Sequence, residues 1–78
     1  MTKTPEHMKT PEGFNQSYLK MLNIIKEGKN SDPNDSLWEF LEGKVKSAKK
    51  DFDKGEISTG ARELFQCYIK YNKNDTMG

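Results

Sequence analysis

The chain has 78 residues, of which 32% are hydrophobic and 32% charged, with a net charge of +1 and a mean hydropathy of −1.00. A chain this short and hydrophilic predicts one small domain whose core must use most of its apolar side chains. The near-neutral charge excludes a strong overall field that would attract nucleic acid or an anionic membrane.

Residue usage also bears on the compartment and the origin of the protein. Twelve lysines stand against a single arginine, Arg62, a bias that we associate with an AT-rich bacterial or phage genome. Cys67 is the single cysteine, so the chain forms no internal disulfide. The start lacks the apolar run of a signal peptide, and no stretch reaches the ~20 apolar residues of a membrane span. We therefore expect a soluble cytoplasmic protein.

The first dozen residues contain a repeated helix-start signal, Thr-Pro-Glu, at residues 4–6 and again at residues 10–12. Threonine suits the N-cap, proline the first helical position, and glutamate the positive end of the helix dipole. Only the second copy leads into an apolar pattern. Residues 1–12 are therefore predicted to form a flexible N-terminal arm, with a short recognition arm as the alternative.

The first predicted helix covers about residues 14–27 and ends at Gly28, a typical C-terminal glycine. Its apolar face consists of Phe14, Tyr18, Met21, Leu22 and Ile25. Leu19 and Ile24 lie on either side of that face, so more than half of the circumference is apolar. This pattern predicts either deep burial or a second contact surface.

The second predicted helix covers about residues 36–54 and carries the most regular pattern in the chain. Its stripe consists of Leu37, Leu41, Val45, Ala48 and Phe52, which fall within roughly 80° of one another. Ser36 and Glu39 match the capping box that begins many helices. Gly43 lies away from the stripe and costs about 1 kcal/mol relative to alanine, which suggests a close approach by another element.

The third predicted helix covers about residues 58–72, after a turn in which Gly55 adopts the left-handed conformation. Ser58 or Thr59 is expected to cap it. Its stripe consists of Ile57, Ala61, Leu64, Phe65, Tyr68 and Tyr71, flanked by Cys67 and Ile69. Residues 74–78 are predicted to be a frayed tail. The sequence thus predicts an all-α three-helix bundle, with a single domain over residues 13–73.

The segment around Gly55 resembles an EF-hand calcium loop only superficially. With Gly55 at the sixth position, the first, third and fifth positions are Lys50, Phe52 and Lys54, so no carboxylate is in place. The twelfth position is Ala61, where the loop needs a bidentate glutamate. A simple turn between two helices explains the segment better.

Catalytic groups are also lacking in the sequence. His7 is the single histidine and lies in the predicted arm, far in sequence from Cys67. These two residues form no nucleophile–base pair and no zinc set, and no glycine-rich phosphate loop occurs. We therefore expect no enzyme activity, no metal or other cofactor, and no small-molecule substrate.

Apolar residues outside the helix stripes are the strongest functional signal. They are predicted to form a protein-binding patch consisting of Trp38, Phe40, Leu19, Ile24 and Ile69. The alternative is that these side chains complete a small core. The patch predicts a regulator, inhibitor or adaptor that binds another protein, and the residue usage suggests that a phage or mobile element encodes it. A homodimer is a variant of the same hypothesis.

A second functional hypothesis is a small helical regulator that binds nucleic acid. Its basic face would consist of Lys44, Lys46, Lys49, Lys50, Lys54 and Arg62. Residues 44–54 carry a net charge of +3, but residues 26–43 carry −3, so the domain is polarised and not uniformly basic. The spacing instead favours salt bridges Glu42–Lys46 and Lys49–Asp53 on an exposed helix face.

Overall fold

A computed structural model of the chain describes the backbone of residues 4–77 and the side chains of residues 4–73. It contains a short 3-10 helix η1 (Glu6–Lys9) and three α-helices: α1 (Pro11–Ser31), α2 (Ser36–Asp53) and α3 (Ile57–Met77). No strand occurs among the described residues. The predicted all-α three-helix bundle is confirmed. Helices α1 and α3 are longer than predicted, and α2 closely matches its predicted bounds.

The core consists of side chains from all four elements. Its buried members are Met8, Phe14, Met21, Ile25, Leu37, Leu41, Val45, Ala48, Ala61, Leu64 and Cys67. The predicted stripe of α2 therefore faces the interior, and Phe52 completes it by stacking on Phe14 at 4.0 Å between ring centroids. Cys67 was predicted to flank the stripe of α3, but it is fully buried. The Tyr68 hydroxyl ties α3 to α1 by donating to the Ser17 carbonyl at 2.6 Å.

Helix α1 begins at Pro11, within the second Thr-Pro-Glu signal and three residues before its predicted start at residue 14. Thr10 is the N-cap, and its hydroxyl oxygen accepts from the Gly13 amide at 3.1 Å. The helix does not end at Gly28, however, and continues to Ser31. The predicted end is wrong because Gly28 serves packing: it is buried, and the Trp38 indole lies where a Cβ would be.

Part of the predicted N-terminal arm packs on the helical core. Met8 in η1 is 3% exposed and belongs to the core, although the sequence placed residues 1–12 in an arm outside the domain. The Thr10 hydroxyl donates to the His7 carbonyl at 2.8 Å, and that carbonyl occupies the space of the missing Gly13 Cβ. A lone methionine has no periodic partner, so the sequence carries no sign of this contact. Residues 1–3 lie outside the described residues.

The helix ends differ from prediction at α2 and α3. Asp35 caps α2, its carboxylate accepting from the Leu37 amide at 2.9 Å, so the capping box predicted at Ser36 is wrong. Gly55 has φ 98°, which confirms the left-handed turn. Helix α3 begins at Ile57, one residue before Ser58, so the predicted caps Ser58 and Thr59 both lie inside the helix. Its backbone stays helical to Met77, which covers most of the predicted tail at 74–78; Gly78 lies outside the described residues.

Glycine brings α2 and α3 together at Gly60 and not at Gly43. A Cβ on Gly60 would lie 2.8 Å from the Ala48 carbonyl oxygen, closer than packed atoms tolerate. A Cβ on Gly43 would meet nothing within 4 Å, so the close approach predicted there is wrong. Gly43 is therefore an exposed helix-interior glycine without a packing role.

We expect Gly43→Ala to raise the free energy of unfolding by about 0.5–1 kcal/mol, because alanine restricts the unfolded chain and no atom opposes its methyl group. Gly28→Ala should lower it by about 1–3 kcal/mol, because the methyl group overlaps the Trp38 ring. Urea unfolding followed by circular dichroism measures both changes. Equal effects of the two substitutions would contradict the packing of Trp38 on α1.

We expect Met8→Ala to lower the free energy of unfolding by about 2 kcal/mol or more, as for other buried methionines. His7→Ala, next to it on an exposed side chain, is the control and should change stability by less than about 0.5 kcal/mol. Thermal unfolding of the full chain measures both. A Met8→Ala variant as stable as the control would return residues 4–12 to the predicted flexible arm.

Candidate protein-binding groove

The structure brings two residues of the predicted apolar patch together at one surface groove. Phe40 of α2 is 52% exposed, and Ile69 of α3 lies beside it, half-buried. The space between them measures about 300 Å³. The groove is lined by Phe40, Lys44, Gln66, Ile69, Lys70 and Lys73. An exposed aromatic side chain on a rigid helix beside a branched aliphatic one is the arrangement that anchors protein interfaces.

The charged residues that line the groove are all lysines. Lys44 comes from α2, and Lys70 and Lys73 come from α3. The Lys70 ammonium lies over the Phe40 ring, 5.6 Å from its centroid, in a cation–π arrangement. No carboxylate lines the groove among the described residues. The groove therefore combines an apolar floor with a positive rim.

The other three residues of the predicted patch lie elsewhere. Trp38 packs on Gly28 and meets the Tyr71 ring at 6.1 Å between centroids. Ile24 is also partly buried against the core. Leu19 is 54% exposed, but it lies on α1 and does not line the groove. The five residues thus do not form one continuous patch.

The Trp38 indole carries an unsatisfied donor. Its Nε1 is buried and has no hydrogen-bond partner among the described residues. A buried donor of this kind costs free energy, so the apolar contacts of the ring with α1 and α3 must outweigh it. This observation places Trp38 in the structural framework that supports the groove.

The basic residues of the nucleic-acid hypothesis are spread over several surfaces. Lys44 lines the groove, whereas Arg62 lies next to Lys9 of η1 in a separate depression of about 240 Å³. Lys49 is held by Asp53 at 2.7 Å and lies 5.9 Å from the centroid of the Tyr18 ring. Lys46, Lys50 and Lys54 are exposed along α2 and the turn that follows it. The structure does not gather these residues into one continuous basic face.

One of the two salt bridges predicted on α2 is present in the structure. Lys49–Asp53 is present, but Glu42 bonds to Lys29 of α1 at 2.8 Å instead of to Lys46. The hydrogen bond and charge of Lys29 hold the pKa of the Glu42 carboxyl below its ordinary value, with a smaller contribution from Lys46. The i, i+4 spacing rule could not predict the Lys29–Glu42 contact, because that rule compares positions within one helix and this contact joins two helices.

Groups with chemical reactivity are few in the described part of the chain. Burial raises the pKa of the Cys67 thiol to about 11, so the sulfur stays protonated at neutral pH and is a poor nucleophile. Between residues 4 and 73, no group of three or more His, Cys, Asp or Glu side chains is placed to hold a metal ion. None of the described helices combines the length and apolar character that a membrane crossing requires.

Two neighbouring carboxyl groups, Asp51 of α2 and Glu63 of α3, lie where these helices pack together. Glu63 accepts from the Ser47 hydroxyl at 3.3 Å through one oxygen, while its other oxygen is buried without a partner among the described residues. Burial raises the pKa of the Glu63 carboxyl, and the neighbouring Asp51 carboxyl raises it further. The ionised form of Glu63 is therefore disfavoured in the folded protein.

Sequence reasoning missed three of the groove residues: Gln66, Lys70 and Lys73. Together with Ile69 they occupy one face of α3, at the spacing i, i+3, i+4 and i+7. That spacing is readable from the sequence. It was not informative alone, because only the packing of α3 on α2 shows that Phe40 lies against this face.

No known protein-family model matches the chain, and comparisons with curated proteins and with solved structures give no significant match.

We expect Glu63→Gln to stabilise the protein at pH 7, because the amide is neutral and can donate toward Asp51. The stability that protonated Glu63 contributes is fully present below its ordinary pKa of 4.5 and is lost as the pH rises through its raised folded pKa. The advantage of the variant should therefore shrink as the pH falls through this raised pKa, and it should be smallest below 4.5. Thermal unfolding across this range measures it.

Glu27→Gln is the matched control, because Glu27 is exposed on α1. It should change stability little at any pH in the series. An advantage of Glu63→Gln that is independent of pH would show that ionisation of Glu63 is not its source.

Proposed function

We propose that the protein is a small regulator, inhibitor or adaptor that binds another protein through the groove between α2 and α3. The observation that carries the proposal is the half-exposed Phe40 beside Ile69 on two packed helices. Aromatic residues held on rigid elements lose little conformational freedom on binding, so they contribute strongly to affinity. In a chain with few apolar residues, a phenylalanine outside the core has a clear use as an anchor.

The proposal extends to setting and class. We propose a cytoplasmic location, because Cys67 is the single cysteine and is buried as a free thiol. The excess of lysine over arginine is the ground for proposing a phage or mobile-element origin. We propose a binding role without catalysis, cofactor or small-molecule substrate, because the reactive side chains that the structure describes are scattered or buried.

Phe40→Ala and Leu19→Ala make a matched pair for testing the groove. The two side chains are 52% and 54% exposed, and only Phe40 lines the groove. We expect immobilised wild-type protein and Leu19→Ala to capture the same partner from bacterial lysate, with nuclease present. Phe40→Ala should reduce capture at least about tenfold, the loss that a central aromatic anchor causes.

The same experiment separates the alternatives. Loss of all captured material on nuclease treatment would replace the proposal with the nucleic-acid hypothesis. Equal capture by both alanine variants would exclude the groove as the binding site. Circular dichroism must show the same helical content for both variants, because unfolding of Phe40→Ala would place Phe40 in the core. Analytical ultracentrifugation of wild type and Phe40→Ala tests whether a second copy of the chain occupies the groove.

A further inference from the structure

We propose that the segment seated in the groove is an acidic amphipathic helix of the partner protein, an inference that rests on the function proposed above. Its apolar side chains would contact Phe40 and Ile69, and its carboxylates would pair with Lys44, Lys70 and Lys73.

The lysines of the groove form no salt bridge among the described residues, and the same is true of Lys20, Lys26, Lys46, Lys50 and Lys54. The groove lysines differ from these in surrounding one apolar floor that no described carboxylate lines. Lys9, Lys29 and Lys49 each pair with a carboxylate of this chain. Lys44, Lys70 and Lys73 form no salt bridge with any carboxylate that the structure describes. Three like charges around one apolar floor repel one another, and a partner that brings carboxylates relieves that repulsion. The complementary surface is therefore acidic.

The shape of the groove suits a helix. On α3 its residues are Gln66, Ile69, Lys70 and Lys73, which follow the helical spacing over two turns. This stretch is roughly 10 Å long at 1.5 Å per residue. Phe40 rises from α2 along one side of it. A partner helix with apolar residues at i, i+3, i+4 and i+7 presents a ridge of matching length.

The same groove is a poor site for a nucleic acid base. The Lys70 ammonium lies over one face of the Phe40 ring, 5.6 Å from its centroid, where it competes with a stacking base. The groove has no second aromatic residue and no arginine, so it lacks both a stacking series and a bidentate phosphate ligand. A carboxylate, in contrast, can pair with Lys70 while Lys70 stays over the ring.

The test uses the full chain, labelled with ¹⁵N, and two synthetic peptides of about 11 residues with blocked ends. Both peptides carry leucine at i, i+3, i+4 and i+7; one has glutamate at the remaining positions and the other has lysine. We expect the acidic peptide to cause saturable chemical-shift changes at Phe40, Ile69 and Lys70, and none at Leu19. The basic peptide should cause no shifts at the groove.

Charge reversal supplies the decisive variant. Lys70→Glu combined with Lys73→Glu should weaken binding of the acidic peptide at least about tenfold and create binding of the basic peptide. Lys20→Glu combined with Lys26→Glu makes the same net change on exposed positions of α1 and is the matched control. It should bind the acidic peptide like wild type. Helical content and thermal midpoint are measured for both variants to verify folding.

The outcomes separate this inference from the function on which it rests. If Phe40→Ala loses the cellular partner while the Lys70/Lys73 reversal retains it, the groove binds a protein but the partner is not acidic, and the inference is wrong. Failure of the acidic peptide to shift the groove residues would also overturn it. Tighter binding of a single-stranded oligonucleotide than of the acidic peptide at Phe40 would assign the groove to nucleic acid.

Discussion

The packing of the Trp38 indole on Gly28 is the contact on which the rest of the structure depends. It sets how closely α2 approaches α1, because the ring occupies the space of the missing Cβ. Residues two apart on a helix point about 200° apart. Burying Trp38 toward α1 therefore turns Phe40 toward the far side of α2, where it is half exposed beside α3. Because Trp38 packs against α1, the groove beside α3 is left to Phe40.

A second close approach completes the groove. Gly60 lets α3 lie against the backbone of α2 near Ala48, and this contact directs the outer face of α3 toward Phe40. The same seam holds Glu63 next to Asp51, an arrangement that opposes folding when both are ionised. Such a cost is tolerable in a marginally stable domain only because the apolar core beneath the seam is continuous.

Several features of the fold were predictable because they depend on neighbours in sequence. The stripe of α2 is buried as its spacing predicts, Thr10 caps α1, and Gly55 makes the left-handed turn. The roles of Gly28 and Met8 could not be predicted in this way, because each depends on a contact with a segment distant in sequence. Of the predicted site, Phe40 and Ile69 share a groove, but periodicity could not separate them from Trp38, which is equally apolar and equally off the stripe.

The sequence by itself determined the helices and the faces that they bury, because helical periodicity is a local property of the chain. It also determined that the protein has few apolar side chains to spare and little reactive chemistry. Only the tertiary structure decided which off-stripe residues join the core and which stay at the surface. That choice depends on how closely the helices approach, and the approach is set by two glycines whose neighbours lie 8 or more residues away. It also brought Lys44, Lys70 and Lys73, which form no salt bridge with a carboxylate that the structure describes, around the exposed Phe40.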